Sequence, residues 1–322
     1  MRIHRTLVLG AALLALIISA CTSGEGGSPG ASAASSPASS GAATESQAAD
    51  LPEITIGSAG FPESAIVAEI YAQALEGAGF TVERNLELGA RDVTHPALVD
   101  GQIDLMPEYV GGYLSVTYGG EATPDLEESL EALRTELEAD GLVAFEPTPG
   151  TDADGFAVRQ ETADELGLTT MSDLAEVADQ LTWGVAQECA ENANCGPGLE
   201  RVYGIDFDSL DVETLGACST AIAEALNASN IDVAQVCTTQ PEIVGFNLVL
   251  LEDDQGLAPA QNMIPVVRQE VAEAGGETLE STLNSVSELL TTEELTNLGA
   301  AVVLNGESYE DAASQWLADN GL

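Results

Sequence analysis

Candidate catalytic groups are scarce in this sequence. After residue 20 the only histidine is His95, so a Ser-His pair would have to be built on that one residue. Residues 51–322 contain no G-x-S-x-G, no G-x-x-x-x-G-K-[ST] and no H-E-x-x-H, the motifs of a hydrolase serine, a phosphate loop and a zinc protease. We therefore predict that the chain is not an enzyme and that it uses no cofactor and no metal.

Carboxylates are the most abundant charged groups. The chain has 54 Asp and Glu against 8 Lys and Arg, a formal net charge of −46. This charge disfavours nucleic acid and anionic lipid as partners. Because the acids are spread along the chain, we interpret them as a solvated surface suited to salty or alkaline water. Glycosidases use two catalytic carboxylates, but with so many acids in this chain no particular pair stands out. An extracellular hydrolase is therefore kept only as an alternative.

Four of the five cysteines lie in the second half of the chain: Cys189, Cys195, Cys218 and Cys237. In an exported protein, four thiols suggest two disulfides. Of the three possible connectivities we prefer the local one, Cys189 with Cys195 and Cys218 with Cys237. Zinc is the alternative, but C-x5-C followed by C-x18-C without a nearby histidine is unlike the usual zinc spacings.

The N-terminus reads as an export signal. Arg2 and Arg5 precede an apolar run that ends at residue 18, and this run is shorter than the roughly 20 residues that span a membrane. The sequence Ile-Ser-Ala-Cys ending at Cys21 resembles a bacterial lipobox, which implies that residues 1–20 are removed and Cys21 is lipidated. Residues 21–50, rich in Gly, Ser and Ala, are predicted to be a disordered tether. We expect a protein anchored to the outer face of the cytoplasmic membrane.

Beyond the tether, strands and helices alternate, which predicts an α/β fold with mainly parallel sheets. The predicted strands are 51–57, 80–84, 103–106, 142–145, 156–158, 182–186 and 231–236, and the predicted helices are 62–77, 95–100, 126–137, segments near 161 and 172, 219–228 and most of the last quarter. Pro107 is expected to end the third strand. A turn-rich stretch at 147–150 separates two such runs.

A short internal echo supports two lobes of similar design. The sequence GQIDL at 101–105 is similar to SNIDV at 229–233, and each follows a helix and leads into a turn. Each segment would place a loop at the carboxyl end of a strand. In open α/β sheets, ligands bind at that edge.

The chain resembles the substrate-binding proteins of ABC importers for glycine betaine, choline, carnitine and related osmoprotectants, over about residues 53–320. The segments that carry the resemblance are GSAGFPES at 57–64, HPAL at 95–98, GQIDLMPEYVG at 101–111, GLERVYG at 198–204, IDVA at 231–234, TT at 238–239, LLEDD at 250–254 and NMIPVVR at 262–268. The resemblance implies a two-lobed periplasmic-binding-protein-like fold of type II, with two sheets joined by two crossing segments. Lobe one would comprise 51–149 plus 250–322, and lobe two 150–249.

The resemblance also implies a ligand site. Tyr109 matches a position at which the family places a tyrosine of the aromatic cage that holds a quaternary ammonium. The further predicted ligand contacts are Ser58, Phe61, Glu63, Tyr113, Thr238 and Gln261. Other cage tyrosines of the family are replaced here, and Asp152 and Asp154 stand near one of these positions. Either carboxylate would neutralise a cation directly, which favours choline-like or diamine-like solutes over betaines.

The function implied is capture of a small quaternary amine or zwitterion and its delivery to a permease and ATPase pair, by a monomer. Aromatic residues make up only 4% of the chain, so the cage is incomplete. The alternative is therefore the same fold binding another polar solute, such as an amino acid or a polyamine.

Overall fold

The computed structural model describes residues 51–322, so the predicted signal, Cys21 and the tether lie outside the described residues. Within 51–322, no helix is both long and apolar enough to cross a membrane.

Ten strands and twelve helices form two lobes. The strands are β1 Glu53–Gly57, β2 Thr81–Asn85, β3 Leu105–Tyr109, β4 Leu142–Ala144, β5 Asp154–Arg159, β6 Thr182–Val185, β7 Asp211–Thr214, β8 Val233–Cys237, β9 Leu248–Leu250 and β10 Met263–Arg268. The helices are α1 Pro62–Gly77, α2 Arg91–Val99, α3 Val110–Gly112, α4 Leu126–Ala139, α5 Gln160–Leu166, α6 Met171–Ala175, α7 Gly196–Tyr203, α8 Thr220–Asn227, α9 Glu242–Gly245, α10 Gln269–Ser287, α11 Thr292–Val303 and α12 Tyr309–Asn320. This confirms the predicted α/β class.

The two sheets have matching topologies. Lobe one has the order β2-β1-β3-β10-β4 and lobe two the order β7-β6-β8-β5-β9. In each sheet the first three strands are parallel and the other two pairings are antiparallel. The sheets are therefore mixed rather than mainly parallel, because β10 and β5 enter from the crossing segments and run against their neighbours.

A carboxylate joins three strands at one end of the lobe-one sheet. Asp104, just before β3, accepts a hydrogen bond from the Thr55 backbone N–H in β1 at 2.9 Å. It also pairs with Arg268 at the end of β10, at 3.1 Å. The Asp104 backbone N–H in turn donates to the Thr55 carbonyl at 2.7 Å.

Lobe two repeats this arrangement residue for residue. Asp232 accepts from the Thr182 backbone N–H in β6 at 3.2 Å and pairs with Arg159 at the end of β5 at 2.8 Å. Its own N–H donates to the Thr182 carbonyl at 2.7 Å. The two similar sequence segments thus form a structural repeat. Asp104 fixes the start of β3 in lobe one, and Asp232 fixes the start of β8 in lobe two.

Two crossing segments lie side by side between the lobes. Thr151 bridges to Asn262, and the Asp152 backbone N–H donates to the Gln261 carbonyl at 3.1 Å. The predicted boundary at residue 250 is slightly early, because Leu250 is in β9, which pairs with β5 of lobe two. The crossing segments thus run at about residues 145–153 and 251–262.

Strand β3 extends further than predicted. It continues through Pro107 to Tyr109, where the sequence analysis placed a break. Proline lacks an N–H, but Pro107 faces Pro265 of β10, and β1 pairs with β3 only at Leu105. The missing donor therefore falls where the ladder does not require one. As a result Tyr109 is held on a strand rather than on a loop.

The preferred cysteine pairing is confirmed. Disulfides join Cys189 to Cys195 and Cys218 to Cys237. This excludes the zinc alternative for these cysteines, since disulfide sulfurs are not the thiolates that bind zinc. The second disulfide ties the segment before α8 to the end of β8.

Candidate functional site

The carboxyl ends of the parallel strands of both lobes face the crossing segments. In lobe one these are the ends of β1 and β3, and in lobe two those of β6 and β8. Since crevices at such ends are the usual ligand sites of open α/β sheets, the candidate site lies here. The helix that follows β1 is α1, which begins at Pro62 with the proline at its first position.

Two aromatic rings and a carboxylate form the lobe-one side. The rings of Phe61 and Tyr109 stack with centroids 6.1 Å apart and an interplanar angle of 26°. Tyr109 is 7% exposed and Phe61 is 38% exposed, so Phe61 is the more accessible of the two rings. The Tyr109 hydroxyl donates to Glu63 Oε1 at 2.5 Å. These three predicted residues are therefore brought together.

An ion pair between Arg91 and Glu108 holds the backbone of Tyr109. Glu108 accepts from Arg91 Nε and Nη2, at 3.0 and 2.9 Å to one carboxylate oxygen, and that oxygen also accepts from the Tyr109 N–H at 3.1 Å. Arg91, Phe61 and Tyr109 line a cavity of about 310 Å³. Sequence reasoning missed Arg91 and Glu108, although Glu108 lies inside the Pro-Glu-Tyr motif and its neighbour in β3 was identified.

Carboxylates continue across the site toward lobe two. Burial first, and then the nearby Asp152 carboxylate, raise the pKa of Glu63 to about 8, while hydrogen bonds from Thr239 and Tyr109 act in the opposite direction. Burial also raises the pKa of Asp152, with Asp154 adding to the effect. For Asp154 burial again raises the pKa, and Glu188 adds to it. Each carboxylate thus lies near the next, from Glu63 to Glu188.

One carboxylate oxygen in this group has no hydrogen-bond partner within residues 51–322. Asp152 Oδ1 is buried without a hydrogen-bond partner. Buried acceptors are normally paired, and an unpaired carboxylate oxygen is costly. A cationic ligand would supply the missing charge, whereas an anionic ligand would add to the repulsion.

The lobe-two side of the site is polar. Thr239 is buried and is the threonine that reaches Glu63 and Asp152. The predicted Thr238 instead accepts from the Ala153 N–H at 3.0 Å and donates to the Thr151 carbonyl at 2.7 Å, so it holds a crossing segment. The sequence analysis noted the two threonines together but chose only Thr238 as a ligand contact.

The disulfide between Cys218 and Cys237 lies beside Asp154. Cys218 Sγ is 3.8 Å from an Asp154 carboxylate oxygen. Although these three residues are close enough to suggest a metal site, both sulfurs are bonded to each other and offer no thiolate. The disulfide is partly exposed.

The structure does not bring two of the predicted contacts to the candidate site. Tyr113 is fully buried, and its hydroxyl bonds to His95 Nδ1 at 2.8 Å inside lobe one. Ser58 is also fully buried, and its Oγ accepts from the Glu87 N–H at 2.7 Å and donates to the Ala59 carbonyl at 3.1 Å. Both side chains are enclosed within lobe one and bond to other residues of that lobe.

Gln261 supports the site from the second crossing segment. Its Oε1 accepts from the Gly112 N–H at 2.9 Å, which places this side chain between α3 and the crossing segment. A further cavity of about 520 Å³ lies against the crossing segments and is lined by Asp154 and Thr238 among other residues. It does not reach Tyr109 or Glu63, so we centre the site on Tyr109, Glu63 and Asp152, where aromatic faces and carboxylates meet.

Comparison with known proteins identifies a family. Residues 52–319 match the OpuAC family, described as the substrate binding domain of ABC-type glycine betaine transport system. The carnitine transport binding protein OpuCC of Listeria monocytogenes is 32% identical over 254 residues, covering 76% of this chain and 79% of its own. The glycine betaine-binding protein YehZ of Escherichia coli (strain K12) is 25% identical over 277 residues, covering 83% of this chain and 90% of its own.

Solved structures share the fold. A structure described as a glycine betaine/carnitine/choline ABC transporter superposes with a TM-score of 0.76 at 22% identity, over 83% of this chain and 98% of that one. Apo YehZ from Escherichia coli superposes with a TM-score of 0.76 at 24% identity, over 84% and 99% of the two chains. At this identity the likeness supports the two-lobed fold.

Proposed function

Because the chain belongs to the family of substrate-binding domains of ABC-type glycine betaine transport systems, we propose that it captures a small quaternary ammonium solute outside the cytoplasm. It then delivers the solute to the permease and ATPase of an ABC importer. The work is binding and release, and we propose no catalysis.

The observation that carries this proposal is the meeting of Tyr109, Glu63 and Asp152. A quaternary ammonium has no N–H to donate, so it is recognised by ring faces and by nearby negative charge. Phe61 and Tyr109 supply the rings, and Glu63 and Asp152 supply the charge.

The excess of carboxylates favours cations over zwitterions. A betaine brings its own carboxylate into a site that already holds Glu63, Asp152 and Asp154. Arg91 is the one arginine that lines the lobe-one cavity, and Glu108 already neutralises it. We therefore propose that choline-like solutes bind more tightly than betaines of similar size.

A polyamine is the second candidate. The row of carboxylates from Glu63 through Asp152 and Asp154 to Glu188 offers more negative charge than one ammonium needs. A linear diamine would place one charge at each end of such a row. A diamine, however, does not require the aromatic rings.

Calorimetric titration tests this proposal. Choline, glycine betaine, carnitine, proline betaine, ectoine and putrescine are titrated into the protein, and we expect the strongest binding with choline. Asp152→Asn should weaken choline binding about tenfold, or about 1.4 kcal/mol. Asp100→Asn, on an exposed residue after α2, removes the same charge and should leave the affinity unchanged. Binding of putrescine alone would favour the second candidate, and no heat with any solute would refute the ligand class.

We further propose that the protein acts as a monomer held to the membrane by a lipid on Cys21. The support is the lipobox-like sequence, which lies outside the described residues. Cys21→Ser should release the protein into the growth medium, and fractionation of expressing cells by immunoblot measures this. Retention of the variant in the membrane fraction would contradict the anchor.

A further inference from the structure

Glu63 and Asp152 form a carboxylate pair without a basic partner. The chain has no lysine. In the part of the chain that the structure describes, five arginines pair with other acids: Arg84 with Glu69 and Glu76, Arg91 with Glu108, Arg134 with Glu146, Arg159 with Asp232, and Arg268 with Asp104 and Glu270. The sixth, Arg201, donates to the Ala193 carbonyl. None of these cations contacts the pair.

The groups that face the pair are acids and neutral donors. On β3 these are the Tyr109 hydroxyl, which donates to Glu63, and Glu108, whose charge Arg91 balances. On the first crossing segment Asp154 lies near Asp152, and from lobe two Thr239 reaches both carboxyls. Further along, Glu188 lies near Asp154.

Two carboxylates in such surroundings do not ionise together at low cost. Removing charge from water and placing like charges close together both favour the protonated form of one member. The geometry agrees with this, since Asp152 Oδ1 is buried and has no hydrogen-bond partner among the described residues. The site therefore lacks one unit of positive charge, which either a proton or a ligand can provide.

We propose that the empty site holds one proton on the Glu63–Asp152 pair and that a cationic ligand displaces this proton when it binds. The inference rests on the proposed function only in requiring that a cation bind here. The O–H bond of the protonated carboxyl breaks, the proton passes to water or buffer, and the ligand's ammonium takes over its charge. No covalent bond forms.

Proton displacement makes the affinity depend on pH. Below the pKa of the pair, each unit of falling pH should weaken binding of the cation about tenfold, because one proton must be removed for each ligand bound. Above that pKa the affinity should level off. The site would thus take up solute more readily in alkaline than in acid surroundings.

Calorimetry in several buffers measures the displaced proton. Choline is titrated into the protein at pH 7 in buffers of different ionisation enthalpy, and the slope of the observed enthalpy gives the protons released. We expect about one proton per choline, falling toward zero above about pH 9, because the pair is then already ionised. Glu63→Gln should bring the release close to zero. Glu127→Gln, on an exposed residue of α4, should leave it unchanged. Binding without proton release would overturn the inference and leave the proposed function intact.

A second measurement needs no ligand. In the free protein, with Asp and Glu carboxyl carbons labelled with ¹³C, one signal should titrate at least two pH units above the bulk of the acids. That signal should disappear or shift in Glu63→Gln and stay in Glu127→Gln. If every carboxyl titrates in the ordinary range, the inference is wrong whether or not choline binds. Because glutamine matches glutamate in shape, loss of folding is not expected, and circular dichroism checks this.

Discussion

Replacing Glu63 with glutamine should change how the stability of the protein depends on pH. Burial raises the pKa of this carboxyl from 4.5 to about 8, so between these values the folded state holds a proton that the unfolded state has lost. The stabilisation is complete below about pH 4.5 and is lost as the pH rises through about 8. The wild-type protein should therefore lose stability over this interval, and the variant should lack this component.

The size of the effect follows from the pKa shift. One pKa unit corresponds to about 1.4 kcal/mol, so the shift sets a ceiling of about 5 kcal/mol. Glu63 is partly exposed, and solvent reduces the effect. We expect the wild type to lose about 2 kcal/mol more than Glu63→Gln between pH 5 and pH 8.5, allowing for this screening.

Urea unfolding at 1 M NaCl, followed by far-ultraviolet circular dichroism, measures the difference. The salt screens the repulsion from the large net charge, which would otherwise add its own pH dependence. Glu127→Gln removes an equal charge from an exposed position and should follow the wild-type profile. Parallel profiles for the wild type and Glu63→Gln would refute the assignment of a raised pKa to this carboxyl.

Three further outcomes are expected. Tyr109→Ala should weaken choline binding about tenfold by calorimetry, because it removes a ring worth about 0.5–2 kcal/mol to a cation. Tyr109→Phe keeps the ring and should retain most of the affinity. An equal loss in both variants would contradict the contact between the cation and the ring. Asp104→Asn and Asp232→Asn should each lower the free energy of unfolding by about 1–3 kcal/mol in urea, since each removes the carboxylate that joins a strand backbone to a partly buried arginine. The loss should be the smaller in Asp104→Asn, because Arg268 keeps Glu270 as a partner, and a clearly larger loss there would contradict this. Changing Cys218 and Cys237 to serine together should cost about 3 kcal/mol in the same assay by loss of the cross-link, and an unchanged midpoint would contradict this.

Much of the fold was predictable because local signals agree with the tertiary structure. Helix α1 was predicted with its observed bounds, Pro62–Gly77, since a proline at the first position and apolar residues at helical spacing mark it. The end of β3 was not predictable, because the strand accommodates Pro107 only opposite Pro265, which lies far along the chain. Strand β7 was missed, as it is short and largely exposed and shows little apolar periodicity.

The site was predictable in part. Glu63, Phe61 and Tyr109 were found through resemblance to a family, and the structure brings them together. Tyr113 was misplaced because the sequence does not show that the chain turns helical after Tyr109 and directs this ring inward. Thr239 was missed because its neighbour has the same chemistry, and only the path of the chain after β8 separates them. Glu188 was also missed. The sequence signal that could have found it is an acid just after the end of a strand, since Glu188 follows β6.

The position of β10 favours one order of folding events. This strand lies between β3 and β4 in the lobe-one sheet, yet the whole of lobe two separates it from them in the chain. The lobe-one sheet therefore cannot close until the chain has passed through lobe two and returned, which requires contacts of very long sequence separation. Lobe two, whose strands β5 to β9 are consecutive, can close first. In refolding experiments with pulsed hydrogen exchange, protection should accordingly appear in β5 to β9 before it appears in β1 to β4 and β10.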